Sequence, residues 1–198
     1  MTKLQRWLIR LAFWGFFVFA ALDLHGAFHF LLLNSILAYI PIELSFWLTT
    51  RRSPLLFWLI AVIWLLFYPN APYLMTDLFH LSLLKPYGIN GLLRFDLPMW
   101  RDFAYLVGPM MVATIVGTWG VDRVAQQLTQ RLHLTKLPAN RVLICAALFL
   151  FSSIGVYVGR FMRLHSIYLL ITPQYIIKQL LEMWSPKMLA FVLMMWLL

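Results

Sequence analysis

Charge is what this chain has least of. Of its 198 residues only 12% are charged, and just 7 are Asp or Glu, while 63% are hydrophobic and 17% aromatic. An ordinary soluble domain is roughly 45–50% apolar and about 25% charged, so a water-soluble globule is excluded. The single cysteine, Cys145, rules out an intrachain disulfide scaffold and gives no information on redox compartment. With 9 Gly and 10 Pro the chain is neither collagenous nor low-complexity. What remains is an all-α polytopic transmembrane bundle.

The motifs of familiar chemistries are also missing. There is no Gly-x-Gly-x-x-Gly and no Walker loop, which leaves nucleotide chemistry unsupported. No Gly-x-Ser-x-Gly elbow occurs, and Ser152-Ser153 lie in an apolar run with no base nearby. No His-Glu-x-x-His or paired-cysteine spacing occurs, so neither a cofactor nor a metal is implied.

What the chain does have is long apolar runs. Six membrane segments are expected within one domain, over residues 7–22, 28–50, 53–68, 103–121, 142–159 and 187–198. The first is broken only by Arg10, expected to snorkel toward Lys3 and Arg6. Its basic start and Val18-Phe19-Ala20 also fit a cleavable signal peptide, but another apolar segment follows at once, so it is read as a helix. Arg51-Arg52 turns the second segment into the third, where Ser53-Pro54 supplies a cap and first turn. The last segment is about 18 Å long and cannot cross a core of roughly 30 Å by itself. Interfacial helices are expected after segments three and five. In the second of these, Ile176, Ile177, Leu180, Leu181 and Trp184 share a face.

The net charge of +9 would raise the question of nucleic acid in a soluble chain. Here the basic residues sit in short connections on alternate sides of the apolar runs, the positive-inside bias of bilayer proteins, so the bilayer is the expected partner and nucleic acid is not. Lys3, Arg6 and Arg10, the Arg51-Arg52 turn, and Arg123, Arg131, Lys136 and Arg141 fall on one side. On the other side the bases lie in longer connections balanced by acids. The N-terminus is therefore expected in the cytoplasm of a multi-pass protein of a bacterial cytoplasmic membrane.

This orientation brings three polar stretches to one face. The first is Tyr68-Pro69-Asn70-Ala71-Pro72-Tyr73, leading to Thr76, Asp77 and His80. It reads as a helix break at Pro69 and a restart capped by Asn70 at the interface. The second, Asp96 to Asp102, opens segment four. The third closes segment five, where Tyr157, Arg160 and Arg163 recur every third residue and so share a side, and Gly155 and Gly159 permit close helix approach.

The runs Phe67 to Leu78, Pro98 to Asp102 and Tyr157 to Arg163 resemble a bacterial family of small integral membrane proteins of unknown function. Its patterns are Phe-x-Pro-Asn-Ala-Pro-Tyr-Leu-x-Thr-Asp-Leu and Tyr-x-Gly-Arg-Phe-x-Arg. The likeness covers most of the chain and implies an architecture but no activity. After its second arginine the family often reads Asn-Ser-Trp-Asp. This chain has Leu164-His165-Ser166-Ile167-Tyr168 and lacks that acid.

Asn70, Tyr73, Asp77, His80, Asp102, Tyr157, Arg160 and Arg163 are thus the candidate binding residues. Asp77 and His80 fit a metal or acid–base pair with Asp102 or His165 added, an N-terminal helix charge beside an interfacial histidine, or an arrangement in which Asp77 orders an arginine in a pocket. Arg160 and Arg163 fit capture of an anionic lipid head group, or a structural ion pair with Asp77, Asp96 or Asp102. Glu43, roughly 12 Å inside the membrane, is expected to be protonated, paired or turned into the bundle, and Asn34 is the second intramembrane polar group. The leading functional expectation is recognition of an anionic lipid head group or envelope substrate at the extracytoplasmic face. The alternatives are a small proton-coupled transporter or channel subunit using Glu43, Asn34 and His29, and a structural or assembly subunit without ligand.

Overall fold

The computed structural model describes residues 2–23, 28–164 and 171–198. Every regular element among them is helical apart from one isolated bridge, Tyr87 with Leu93. The order is α1 (Lys3–Asp23), α2 (Phe30–Trp47), α3 (Pro54–Phe67), α4 (Asn70–Asp77), a 3-10 helix (Leu78–Leu84), α5 (Leu97–Arg131), α6 (Pro138–Phe161), α7 (Pro173–Glu182) and α8 (Pro186–Leu197). Five helical stretches are long and apolar enough to span a membrane, with α3, α4 and the 3-10 helix counting as one. The chain is an integral membrane protein.

α1, α3 and α6 run one way, α2 and α5 the other. Lys3, Trp47, Pro54, Arg131 and Pro138 therefore mark the N-terminal end of the bundle, and Asp23, Phe30, Leu97 and Phe161 the far end. Large apolar side chains cover the outside, among them Leu11, Trp14, Leu55, Ile115 and Phe151. That is the pattern of a protein solvated by hydrocarbon. Inside, Leu31, Phe57, Trp64, Leu74 and Val121 are almost fully buried.

The expected helix break falls at Tyr68-Pro69, between the end of α3 at Phe67 and the start of α4 at Asn70, but it barely turns the chain. Tyr68 and Pro69 both keep right-handed helical dihedrals, and α4 continues from α3. Pro69 cannot donate to the helix ladder, but the loss of one bond kinks a helix without ending it when the next turn is packed. Asn70 does not cap α4; its Nδ2 donates back to the Phe67 carbonyl at 2.8 Å. Nor does α4 lie flat on a surface, for Ala71, Leu74, Thr76 and Asp77 are buried and the helix packs against α2, α5 and α6.

α5 begins at Leu97 and runs 35 residues, about 52 Å at 1.5 Å per residue. It overshoots the expected segment at both ends. Its C-terminal turns are tied to the α2–α3 connection. Gln127 Oε1 accepts from the Thr50 amide at 2.9 Å, and Arg123 Nε donates to the Ser45 carbonyl at 2.9 Å. α7 and α8 meet at 92°. α8 packs on α6, burying Met188 and Val192, and Trp196 Nε1 donates to the Ala146 carbonyl at 2.9 Å.

Candidate functional site

The site begins with two glycines. α6 crosses α4 so closely that a Cβ on Gly155 would lie 2.3 Å from Pro69 Cγ, an impossible contact. At Gly159, one turn on, a Cβ would meet the Tyr73 ring at an ordinary 3.4 Å. The missing side chain at 155 lets the backbones approach, and that approach carries Arg160 onto the end of α4.

There Arg160 meets a carboxylate that is out of reach of solvent. Asp77 is 1% exposed. Its Oδ1 accepts from Arg160 Nη1 at 3.2 Å, and its Oδ2 from Asn34 Nδ2 at 2.8 Å. Arg160 Nη2 donates to the Thr76 carbonyl at 3.0 Å, Nη1 also reaches the Tyr73 hydroxyl at 3.4 Å, and the guanidinium lies 5.5 Å from the Tyr73 ring centre. One ion pair thus joins α2, α4 and α6. Each partner satisfies the other's hydrogen bonds, the condition under which a charge survives burial.

Four other expected residues lie apart from this knot. His80 stands in the 3-10 helix; its Nδ1 meets the Asp77 backbone carbonyl at 2.9 Å rather than the carboxylate, and its ring packs 4.3 Å from that of Phe30. Among the described residues Asp102 pairs with its neighbour Arg101, at 3.5 Å. Tyr157 stacks on Phe161 and Phe191, at 5.1 and 5.8 Å. Arg163 follows the end of α6 with φ of 53°. The three-residue period that put it beside Arg160 has already ended there, and it is exposed and forms no ion pair among the described residues. His165 lies outside the described residues. Among the described residues no three His, Cys, Asp or Glu side chains gather in a metal-holding group.

Beside the knot is a cleft of about 600 Å³ between α2, α3–α4, α6 and α7. Its walls are mostly apolar, with Leu66, Phe151, Ile154 and, from α7, Ile176 and Leu180. Leu66 and Phe151 are exposed on the outer surface, so this side of the cleft faces lipid. Its polar lining comes from Asn34, Asn70 and Tyr73, two of which also touch the ion pair. Leu164 lines it too, directly after the exposed Arg163 in the chain.

Glu43 is placed very differently. Arg10 holds it bidentately, Nε to Oε2 at 3.0 Å and Nη2 to Oε1 at 2.5 Å; Tyr39 and Trp47 each add a bond at 2.8 Å. Arg10 therefore does not snorkel toward Lys3 and Arg6, because a carboxylate on α2 is within reach. Tyr39 and Trp47 are one helical turn either side of Glu43, so i±4 spacing could have named them from the sequence alone; the Arg10 contact, across helices, carried no such signal. His29 is exposed at the start of α2 and Asn34 is bound to Asp77. The three groups of the expected path thus sit in three separate settings along one helix.

A family model described as "Protein of unknown function (DUF1361)" matches residues 33–198. No curated protein and no solved structure matches the chain.

Proposed function

Because the chain belongs to the DUF1361 family, whose function is unknown, the reading must come from the site itself, and we propose that the protein binds a lipid-like amphiphile in the α2–α4–α6 cleft. The carrying observation is the cleft's composition: an apolar trough of about 600 Å³ beside the bilayer, with Asn34, Asn70 and Tyr73 as polar groups. Ligand sites that combine apolar walls with a few convergent polar groups hold molecules of the same character. The apolar part lies along Leu66, Phe151 and Ile154, and the polar part meets the asparagines and Tyr73.

Arg160 is already neutralised by Asp77, so selectivity for an anionic head group falls to Arg163, next in the chain to the lining residue Leu164. An exposed guanidinium there offers a bidentate fork to phosphate oxygens. The basic bias of the N-terminal end supports a cytoplasmic N-terminus in a bacterial membrane, which turns the far end, and the cleft, outward.

The test is lipid retention by the full chain, read by native mass spectrometry after extraction from membranes of phosphatidylglycerol and phosphatidylethanolamine. Ile154→Trp fills the trough and should abolish a retained lipid that the parent protein carries. Arg163→Ala should keep a lipid but lose the preference for phosphatidylglycerol. Unchanged retention in an Ile154→Trp protein that melts at the parent temperature would overturn the proposal.

A further inference from the structure

At the N-terminal end, Arg6 and Arg123 lie inside the bundle without an ion pair among the described residues. That end carries only two carboxylates, Glu43 and Asp122, and both are engaged: Glu43 by Arg10, and Asp122 by Arg141, whose Nε donates at 2.8 Å. Arg6 and Arg123 converge on the end of α2. Arg6 lies 5.9 Å from the Phe46 ring centre, and Arg123 donates its Nε to the Ser45 carbonyl. Each lies in the other's electrostatic field, and neither forms an ion pair among the described residues. Arg6 Nε is buried with no hydrogen-bond partner.

Like charges held together in a partly dry setting repel, and a buried donor without an acceptor loses its hydration for nothing. One tetrahedral anion between the two guanidinium groups removes both penalties. Its oxygens accept from both forks, and its charge cancels the repulsion. A carboxylate from the protein could do the same, but none is left at this end. Phe46 lies under Arg6 at 5.9 Å, and the Glu43-bound Arg10 guanidinium lies over the same ring at 5.8 Å.

We propose that Arg6 and Arg123, beside Ser45 and Phe46, make a phosphate-binding site at the N-terminal end of the bundle, at the opposite end from the cleft and independent of it. The group bound is a phosphodiester of an anionic lipid head or a free phosphate. Both present the same oxygens, and the position at a helix end near the membrane boundary admits either.

The full chain in detergent, offered equal amounts of phosphatidylglycerol and phosphatidylcholine, should retain one phosphatidylglycerol selectively at this site, in addition to any lipid held in the cleft, by native mass spectrometry. Arg6→Gln and Arg123→Gln should each weaken that retention about tenfold, the loss expected for one charge-assisted contact. Arg123→Lys should recover part of it. Ile154→Trp, which fills the cleft, should leave this lipid in place, so failure of the two proposals can be told apart. Displacement by millimolar inorganic phosphate would assign the site to the ion, and resistance to it would assign the site to the lipid. The outer-surface arginine Arg51 is the control. Equal loss in Arg51→Gln, or no preference over phosphatidylcholine in the parent, would overturn the proposal, and Arg6, only partly buried near the chain start, provides a variant that does not depend on core packing.

Discussion

Two of the protein's arginine–carboxylate pairs, Arg10–Glu43 and Arg160–Asp77, are built on opposite plans. Glu43 receives four hydrogen bonds, two from Arg10 on α1 and one each from Tyr39 and Trp47 on α2. Both of its oxygens are doubly occupied, and the Arg10 and Glu43 side chains are 23% and 25% exposed. Asp77 receives two among the described residues, from Arg160 and Asn34, and its side chain is 2% exposed. The saturated pair fastens two consecutive helices near the surface. The sparse pair fastens three helices at depth, beside a cavity. Bonding is thus richest where burial is least, and the energetic stakes run the other way.

Asp77→Ala should have the largest effect. It leaves the Arg160 guanidinium and Asn34 without their acceptor, and breaking one side of a buried pair costs about 3–5 kcal/mol. Thermal unfolding in detergent should show a large loss, and a change equal to that of Glu43→Gln would erase the contrast between the two pairs. Next comes the glycine seam that positions Arg160. Gly155→Ala forces a methyl into Pro69 and should cost about 1–3 kcal/mol as overpacking does, whereas Gly159→Ala, with an ordinary 3.4 Å contact, should be nearly neutral. The pair of melting temperatures tests whether the close approach is confined to one turn.

Glu43→Gln should cost less than Asp77→Ala, about 1 kcal/mol, because both partners keep access to solvent and Tyr39 and Trp47 retain an acceptor. A double-mutant cycle with Arg10→Gln measures the coupling directly. A coupling larger than that of Asp77 with Arg160 would mean that bond count outweighs burial here. Smallest is Arg163→Ala, expected within about 0.5 kcal/mol of the parent in stability, as for an exposed residue outside any network. Its signal should appear only in lipid selectivity.

The contrast also shows what a sequence can carry. Apolar run length placed the membrane helices, because hydrocarbon thickness leaves little freedom in the matter. It missed the extension of α5 to Arg131, since the polar residues Gln127 and Arg131 are held by Thr50, 77 and 81 positions away, and no local period records such a partner. The burial of α4 was hidden for a related reason. Pro69, Asn70 and Pro72 spell a turn locally, and only the small face of α6 at Gly155 makes room for a packed helix there. Asp77 and Arg160 were each marked by being charged where charge is expensive. That Asn34 completes their knot, while Asp102 and Tyr157 do not join it, depends on helix rotation, which spacing inside a single helix cannot fix. Arg163 was grouped with Arg160 by a period that ends with α6 at Phe161.

The sequence separations within the two pairs differ as much as their chemistry. Arg10 and Glu43 are 33 residues apart, Asp77 and Arg160 are 83. A ribosome adding about 5–20 residues per second delivers Glu43 within seconds of Arg10, so the first hairpin can leave the translocon already neutralised. Asp77 instead emerges after Asn34 has been made and waits for α6 to bring Arg160. Until then the carboxylate of Asp77 lacks the guanidinium that holds it in the finished fold.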